Sequence, residues 1–339
     1  MSKKYDAIVF IGRFQPLHNA HVEIIRKAGE LAEKVIVVVG SANQPRTFKN
    51  PFSFEERETL LYQNCVNFVG SLIVESTYDT IYNDDSWAVR VQNIVSQYTA
   101  KNDKIAIIGH KKDETSFYLD MFPQWELIEI PSIGNLSASQ IRLLYFNKVN
   151  NHNCFSMFVS KLTIEFLLKF AETEEYQQII REIEFIEKYK SQYSSFPYPP
   201  TFVTVDAIVV QSGHVLMIRR RAEPGKGLLA LPGGFLDALS DKSLETAMIR
   251  ELREETCLKV PDKVLRGNIQ EVKVFDAIER STRGRTITHA FHIKLPNGEL
   301  PKVKHGSDAA SAKWIPISKV NSSECYEDHY EIINYFTGV

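Results

Sequence analysis

A chain of 339 residues is long for one domain and sufficient for two, each able to bury its own core. With 44% apolar residues, a net charge of -2 and a pI near 6.5, it has an ordinary soluble composition and no broad basic field for a polymeric nucleic acid. No apolar run nears the ~20 residues of a membrane span, the start has no signal-peptide pattern, and four scattered cysteines form no CxxC pair, so a cytoplasmic protein with reduced cysteines and no membrane partner is expected.

From residue 5 to about 150, β-branched runs alternate with helical stretches, and "DAIVFIG", "KVIVVVGS", "SLIVES", "KIAIIGH" and "ELIEIP" are the predicted strands. Apolar runs without alternation mark strands covered on both faces, and the segments between them suit crossover helices. The expected class is α/β, with a doubly wound parallel sheet. Over 160–192, "TIEFLLKFA" and "YQQIIREIEFIEKYKSQY" carry apolar positions at helical spacing, predicting helices that close a first domain, 1–192. "SSFPYPP" forbids a helix and predicts an extended connector at 193–200. Beyond it, "TFVTVDAIVVQSGHVLMIRRR" reads as a hairpin around Ser212 and Gly213, followed by a strong helix at 243–256 and strands such as "RTITHAFHIKL". The second domain, 201–339, is therefore expected to be a mixed α/β fold.

The first strand runs into "GRFQPLHNAH". Open parallel sheets bind ligands at the carboxyl ends of their strands, where Gly12 lets a phosphate approach the backbone and the next helix points its amides outward. His18 and His21, three apart, project from one side of the first helical turn and can donate hydrogen bonds to phosphate oxygens. Further on, "LSASQIR" offers Ser137 and Ser139 as helix caps, with Arg142 one turn later as a partner for phosphates. Without a ligand the same segment is simply a capped helix.

These residues resemble the HxGH signature of nucleotidylyltransferases, with Ala20 in place of the glycine. Together with "NPFSFEERETLL", "GHKKDETSFYLDMFPQW" and "LSASQIR", in order and spacing, they resemble the nicotinamide mononucleotide (NMN) adenylyltransferase family. The resemblance implies that His18, His21 and Arg142 act on the ATP phosphates, that Arg13 and Phe14 line the nucleotide pocket, and that Gly109 and Asp113 edge the adenosine site. It also implies that Trp87 stacks on the nicotinamide, although a tryptophan there is equally a core residue of a helix face.

"RELREE" places Glu251, Glu254 and Glu255 on one helical face beside the apolar stripe of Leu244, Met248, Ile249 and Leu252. Clustered hard oxygen ligands call for Mg²⁺ or Mn²⁺, while a solvated helix can also carry three glutamates. With "LPGG" ahead of it, the segment resembles the Nudix box, G-x5-E-x7-REUxEE-x-G-U. That resemblance implies Glu251, Glu254 and Glu255 as catalytic metal ligands, with the Gly233 carbonyl as a further one and Arg250 as a brace. Two departures stand out: Lys242 occupies the position of the first glutamate, with two extra residues after Gly234, and Cys257 replaces the last glycine. Asp241 is a nearby carboxylate able to stand in. "VFDAIERSTRGRTITHAF" resembles Nudix enzymes acting on ADP-ribose, which implies Arg280, Arg283 and Arg285 as diphosphate-binding residues. Asp308 of "HGSDAASAKWIPI" is implied as an extra metal carboxylate.

Both halves together are similar to the bifunctional NMN adenylyltransferase/Nudix hydrolase (ADP-ribose pyrophosphatase) family. Small-molecule partners are implied: ATP, NMN, NAD and ADP-ribose, with magnesium as cofactor. Transfer to another acceptor, or a second domain that acts on another nucleoside diphosphate derivative or only senses NAD metabolites, stays open on the sequence, as does a homo-oligomer.

Overall fold

The computed structural model describes residues 3–111, 114–131, 137–147, 155–306 and 309–338. The chain divides into two compact units, Met1–Ile180 and Arg181–Val339.

In the first unit, β1 (Tyr5–Gly12), β2 (Ala32–Val39), β3 (Ser71–Ser76), β4 (Ile105–Gly109) and β5 (Glu126–Glu129) form a sheet in the order β3-β2-β1-β4-β5, and every pairing is parallel. Alternation along each strand divides its side chains between two cores. Ile8, Phe10, Val35 and Val37 pack with Ile24, Ile25, Leu60 and Leu61 of α1 (Asn19–Leu31) and α2 (Phe54–Cys65). Val9, Ile11, Ile36 and Val38 pack on the other face with Val91 and Ile94 of α3 (Asp84–Ser96) and with Phe122 and Trp125. The sheet is thus doubly wound, and β1 and β4 leave a crevice-forming switch in strand order at their carboxyl ends, where such sheets bind ligands. Helices α4 (Ala138–Phe146), α5 (Lys161–Phe170) and α6 (Glu174–Ser191) follow.

The connector at 193–200 was the expected boundary, yet the division falls within α6. The helix ends at Ser191, before the prolines, and Tyr189 near its end and Tyr193 just beyond it set their rings against Phe202, with centroids 6.0 and 5.4 Å apart.

The second unit has a seven-stranded mixed sheet. Its main order is β10-β11-β6-β7-β12, where β6 is Thr201–Gln211, β7 His214–Arg220, β10 Ile269–Phe275, β11 Arg285–Lys294 and β12 Ala309–Pro316. Two short strands complete it, β8 (Leu229–Ala230) on β7 and β9 (Gly233–Phe235) on β6. The hairpin turns at Ser212 and Gly213, both left-handed at φ 47° and 72°, as a tight turn between twisted strands requires. Helix α7 (Leu244–Thr256) begins with Ser243, whose hydroxyl accepts from the Thr246 amide, and buries Met248, Ile249 and Leu252 against Val205, Ala207 and Val209 of β6. Short α8 (Asp262–Gly267) and terminal α9 (His329–Thr337) complete the unit. No helix among the described residues is long and apolar enough to cross a membrane.

Candidate active sites

The β1–α1 turn positions the two histidines. Gly12 ends β1, and Phe14 takes a left-handed φ of 51° that folds its ring back over it; a Cβ on Gly12 would lie 3.0 Å from that ring. The missing side chain therefore makes room for Phe14, a different use from the phosphate approach expected. Phe14 is itself buried, at 1% exposure, and supports His21 edge-on at 4.8 Å instead of lining a pocket. His18 and His21 stack at 3.6 Å. The His18 amide makes a long hydrogen bond of 3.4 Å to His21 Nδ1, which leaves Nε2 to carry the proton and act as donor. Burial pulls the His18 imidazole down to about 4 and holds His21 well below its usual range, with the His18 charge adding to the second effect. Both rings are therefore neutral near pH 7.

Buried polar side chains fix this turn. The Gln15 carboxamide pairs with the Phe52 backbone in both directions, at 2.9 and 3.0 Å. Arg57, on α2 and fully buried, donates to the carbonyls of Arg13, Gly40, Ser41 and Ser53 at 2.8 to 3.2 Å. The ends of β1 and β2 are thus tied to α2 by one guanidinium. Arg142, on α4, donates to the Gln15 carbonyl at 2.6 Å and to Ser139 Oγ at 3.0 Å, and its buried Nε has no partner. Burial, helped by the Arg13 charge, brings it down to about 10, so it is still a cation at neutral pH. Ser137 caps α4 by accepting from the Gln140 amide, while Ser139 braces Arg142 instead of capping. His18, His21 and Arg142 are thereby gathered around a single turn, and Arg13 points out to solvent.

Other expected residues have other surroundings. Trp87 is half-buried on α3, against Tyr118 and Phe122 at 6.1 and 5.9 Å. Gly109 is buried at the end of β4 beneath Leu119. Asp113 lies outside the described residues.

In the second unit, Gly233, Gly234 and the acidic face of α7 meet. The Glu251 carboxyl lies directly against Gly234: a Cβ there would come within 2.5 Å of it and push it aside. Glu255, 9% exposed, accepts from the Gly233 amide at 2.9 Å. Arg250 is the hub of the face, donating to Asp241 through Nε and Nη2, to Glu251 and Glu254 through Nη1 at 2.8 and 3.0 Å, and to the Phe235 carbonyl. Asp241, at the end of the lengthened loop, therefore fills the bracing role that Lys242 cannot, and exposed Lys242 points away from the network.

The donor set fits a divalent cation. Burial pushes the Glu255 carboxyl up to about 8, opposed by the Gly233 amide and reinforced by the charges of Glu251 and Asp206. Burial likewise raises Glu251, against the pull of Arg250. Buried carboxylates that the protein leaves undercompensated favour a hard cation. Among the described residues, however, no trio of His, Cys, Asp or Glu is preassembled as a metal cage, because Glu251 and Glu254 both turn onto Arg250. The 304–306 loop is anchored at the end of α7, with the Gly306 amide donating to the Glu255 carbonyl at 3.1 Å, but Asp308 beyond it lies outside the described residues.

The arginines diverge from expectation. Arg280 is buried at 5% and bound through Nε and Nη2 to Asp328, both at 2.8 Å, so two of its three nitrogens are held in an internal ion pair. Arg285 donates to the Asp276 carbonyl at 2.6 Å and closes its own hairpin. Arg283 is stacked 4.8 Å over the ring of Phe235, at the end of β9, with a buried Nε that has no partner. Sequence reasoning missed Gln15, Arg57, Asp206 and His329; Asp206 stands out as a polar residue within the apolar run of β6, whereas Arg57 and His329 lie among charged neighbours that hide their burial.

Two family models match, a cytidylyltransferase-like domain over residues 9–142 and a NUDIX domain over 200–336. The nicotinamide/nicotinic acid mononucleotide adenylyltransferase of Acinetobacter baylyi is 35% identical over 193 residues, 57% of this chain and 97% of that relative. An ADP-ribose pyrophosphatase of Methanocaldococcus jannaschii is 35% identical over 131 residues, 39% of this chain and 70% of the relative. A bifunctional NMN adenylyltransferase/ADP ribose pyrophosphatase of Francisella tularensis matches across both units, with TM-score 0.89, 36% identity and coverage of 98% of this chain and 99% of that one. The same enzyme was also solved with AMP and a manganese ion, at TM-score 0.88 and 34% identity.

Proposed function

Since the chain belongs to the bifunctional NMN adenylyltransferase/ADP-ribose pyrophosphatase family, we propose that it carries out both reactions. Its first unit joins ATP and NMN to give NAD and pyrophosphate. Its second cleaves ADP-ribose to AMP and ribose 5-phosphate with a divalent ion, Mg²⁺ by preference. The observation that carries this reading is the presence in one chain of a stacked imidazole pair at the start of α1 and an arginine-braced carboxylate face on α7.

In the transfer, an NMN phosphate oxygen attacks the α-phosphorus of ATP, and the bond to the β-phosphate bridging oxygen breaks. Charge spreads over the phosphoryl oxygens, so fixed donors supply the catalysis. Neutral His18 and His21 donate N–H groups to those oxygens, and Arg142, with its unsatisfied Nε, takes the leaving pyrophosphate. Phe14, Gln15 and Arg57 keep the donors preset, at no reorganisation cost during reaction. Trp87 offers an indole face to the cationic pyridinium.

In the hydrolase unit, Glu251, Glu254, Glu255 and the Gly233 carbonyl would hold the ion, whose contribution would be to acidify water and offset charge on the departing phosphate. Arg250 and Asp241 orient the glutamates, and Arg283 over Phe235 binds the anionic diphosphate. One experiment tests the pair: purified protein with ATP and NMN should release NAD and pyrophosphate, and with ADP-ribose and Mg²⁺ should release AMP. Failure of the first product redirects the transferase to another acceptor; ADP-ribose bound but not cleaved makes the second unit a sensor.

A further inference from the structure

Behind the glycines of the second unit lies a buried polar group that the proposed reactions do not use. His329, the first residue of α9, is 7% exposed. Its Nδ1 accepts the Leu231 amide at 2.8 Å, so that nitrogen is unprotonated and the ring proton sits on Nε2. Nε2 faces Asp206, 4.0 Å from Oδ1, and the other oxygen of Asp206 accepts from the Thr288 hydroxyl. Burial brings the imidazole down to about 3, consistent with a permanently neutral ring. Asp206 in turn lies opposite Gly233 in the β6–β9 register, so close that a Cβ on Gly233 would come within 2.6 Å of its carboxylate.

The consequence concerns the three residues 231–233. The Leu231 amide is pinned by His329, the Pro232 carbonyl accepts the Ala207 amide at 2.8 Å, and the Gly233 amide is held by Glu255. Each successive peptide plane is therefore fixed by a group outside the segment, and the setting of the Gly233 peptide depends on all three. Only the His329 contact comes from the far end of the chain. Asp328, its neighbour, is locked onto Arg280, so the start of α9 cannot drift without breaking a buried ion pair.

We propose that His329 is a positioning residue of the hydrolase site, setting the Leu231–Gly233 backbone so that Gly233 and Glu255 meet a divalent ion together. This rests on the metal-dependent reading given above. Partners of ligating groups typically govern metal affinity by about 10- to 100-fold.

The test uses the full-length protein and Mn²⁺ alone, with free ion followed by electron paramagnetic resonance and amide exchange at Leu231 by mass spectrometry. His329→Leu removes the acceptor; His329→Asn keeps one where Nδ1 was; His329→Phe keeps a ring against Tyr326 without an acceptor and replaces the leucine variant if that one does not fold. The leucine or phenylalanine variant should weaken Mn²⁺ binding about 10-fold or more and speed exchange at Leu231, while the asparagine variant stays within about 3-fold of the parent. At saturating Mn²⁺ the KM for ADP-ribose should not move. Unchanged Mn²⁺ affinity in the leucine and phenylalanine variants, or equal loss in the asparagine variant, overturns the proposal. A parent protein that takes up no Mn²⁺ fails the metal-dependent reading itself and the inference with it, and that result is told apart by appearing without any substitution.

Discussion

Asp241 grips Arg250 with both carboxylate oxygens, Oδ1 at 3.0 Å from Nε and Oδ2 at 2.8 Å from Nη2. This contact lets the same guanidinium hold Glu251 and Glu254 with its remaining nitrogen. Asp241→Ala should therefore lower kcat/KM for ADP-ribose by about 10- to 100-fold, as loss of a bracing partner does, and Asp241→Glu should recover part of it. Lys242→Ala, on an exposed side chain, should stay within about twofold, the range of ordinary surface changes. Steady-state kinetics on the three variants checks the assignment.

The pH dependence follows from Glu255. Its carboxyl is raised from 4.5 to about 8, so the folded, metal-free unit holds that proton more tightly than the unfolded chain does. The resulting stabilisation is complete below pH 4.5 and is lost as pH rises through about 8. A bound cation must displace the proton, so Mn²⁺ affinity should rise by up to about tenfold per pH unit between pH 6 and 8 and level off above. Glu255→Gln should flatten that profile. Calorimetric titration of Mn²⁺ at several pH values measures it; affinity independent of pH would remove Glu255 from the site.

Arg57 is the structural keystone of the first unit. Arg57→Met leaves the carbonyls of Arg13, Gly40 and Ser41 without this donor, while Ser53 keeps the backbone amide of residue 57, and a loss of about 2–4 kcal/mol is expected after relaxation, given roughly 1–3 kcal/mol for each unsatisfied buried group. Denaturant unfolding checks this. Adenylyl transfer should fall with it, because the Arg13 carbonyl belongs to the turn that carries the histidines and the Gly40 carbonyl to the neighbouring end of β2.

Arg280→Met should act on stability in the same way, by about 3–5 kcal/mol, since it strands the Asp328 carboxylate in the interior. Its unfolding midpoint, compared with that of Arg283→Met, separates the two arginines: the latter should cost affinity for ADP-ribose with little loss of stability.

These contrasts mark what the amino-acid pattern could and could not reveal. The strands of the first sheet were legible because each carries an apolar run, long in β1, β2 and β4 and only two or three residues in β5 and β3, and α7 was legible from its apolar stripe. The REUxEE face was readable because its spacing is local, within a single helix. The Arg280–Asp328 pairing was not legible because the partner lies 48 residues away, and nothing in a run of three nearby arginines distinguishes one that pairs internally. The inward setting of the Phe14 ring was not legible because it depends on a left-handed φ at a phenylalanine, against the usual preference of bulky residues.

The most direct test of two independent phosphate sites is a crossed pair of variants assayed for both reactions on the same preparations. His18→Ala should lower NAD formation by about 100-fold or more, the cost of losing one preset donor, with ADP-ribose hydrolysis intact. Glu254→Gln should abolish hydrolysis and leave NAD formation at the parental rate. If either variant, still folded, lost both activities together, the separation of imidazole and carboxylate sites would be contradicted.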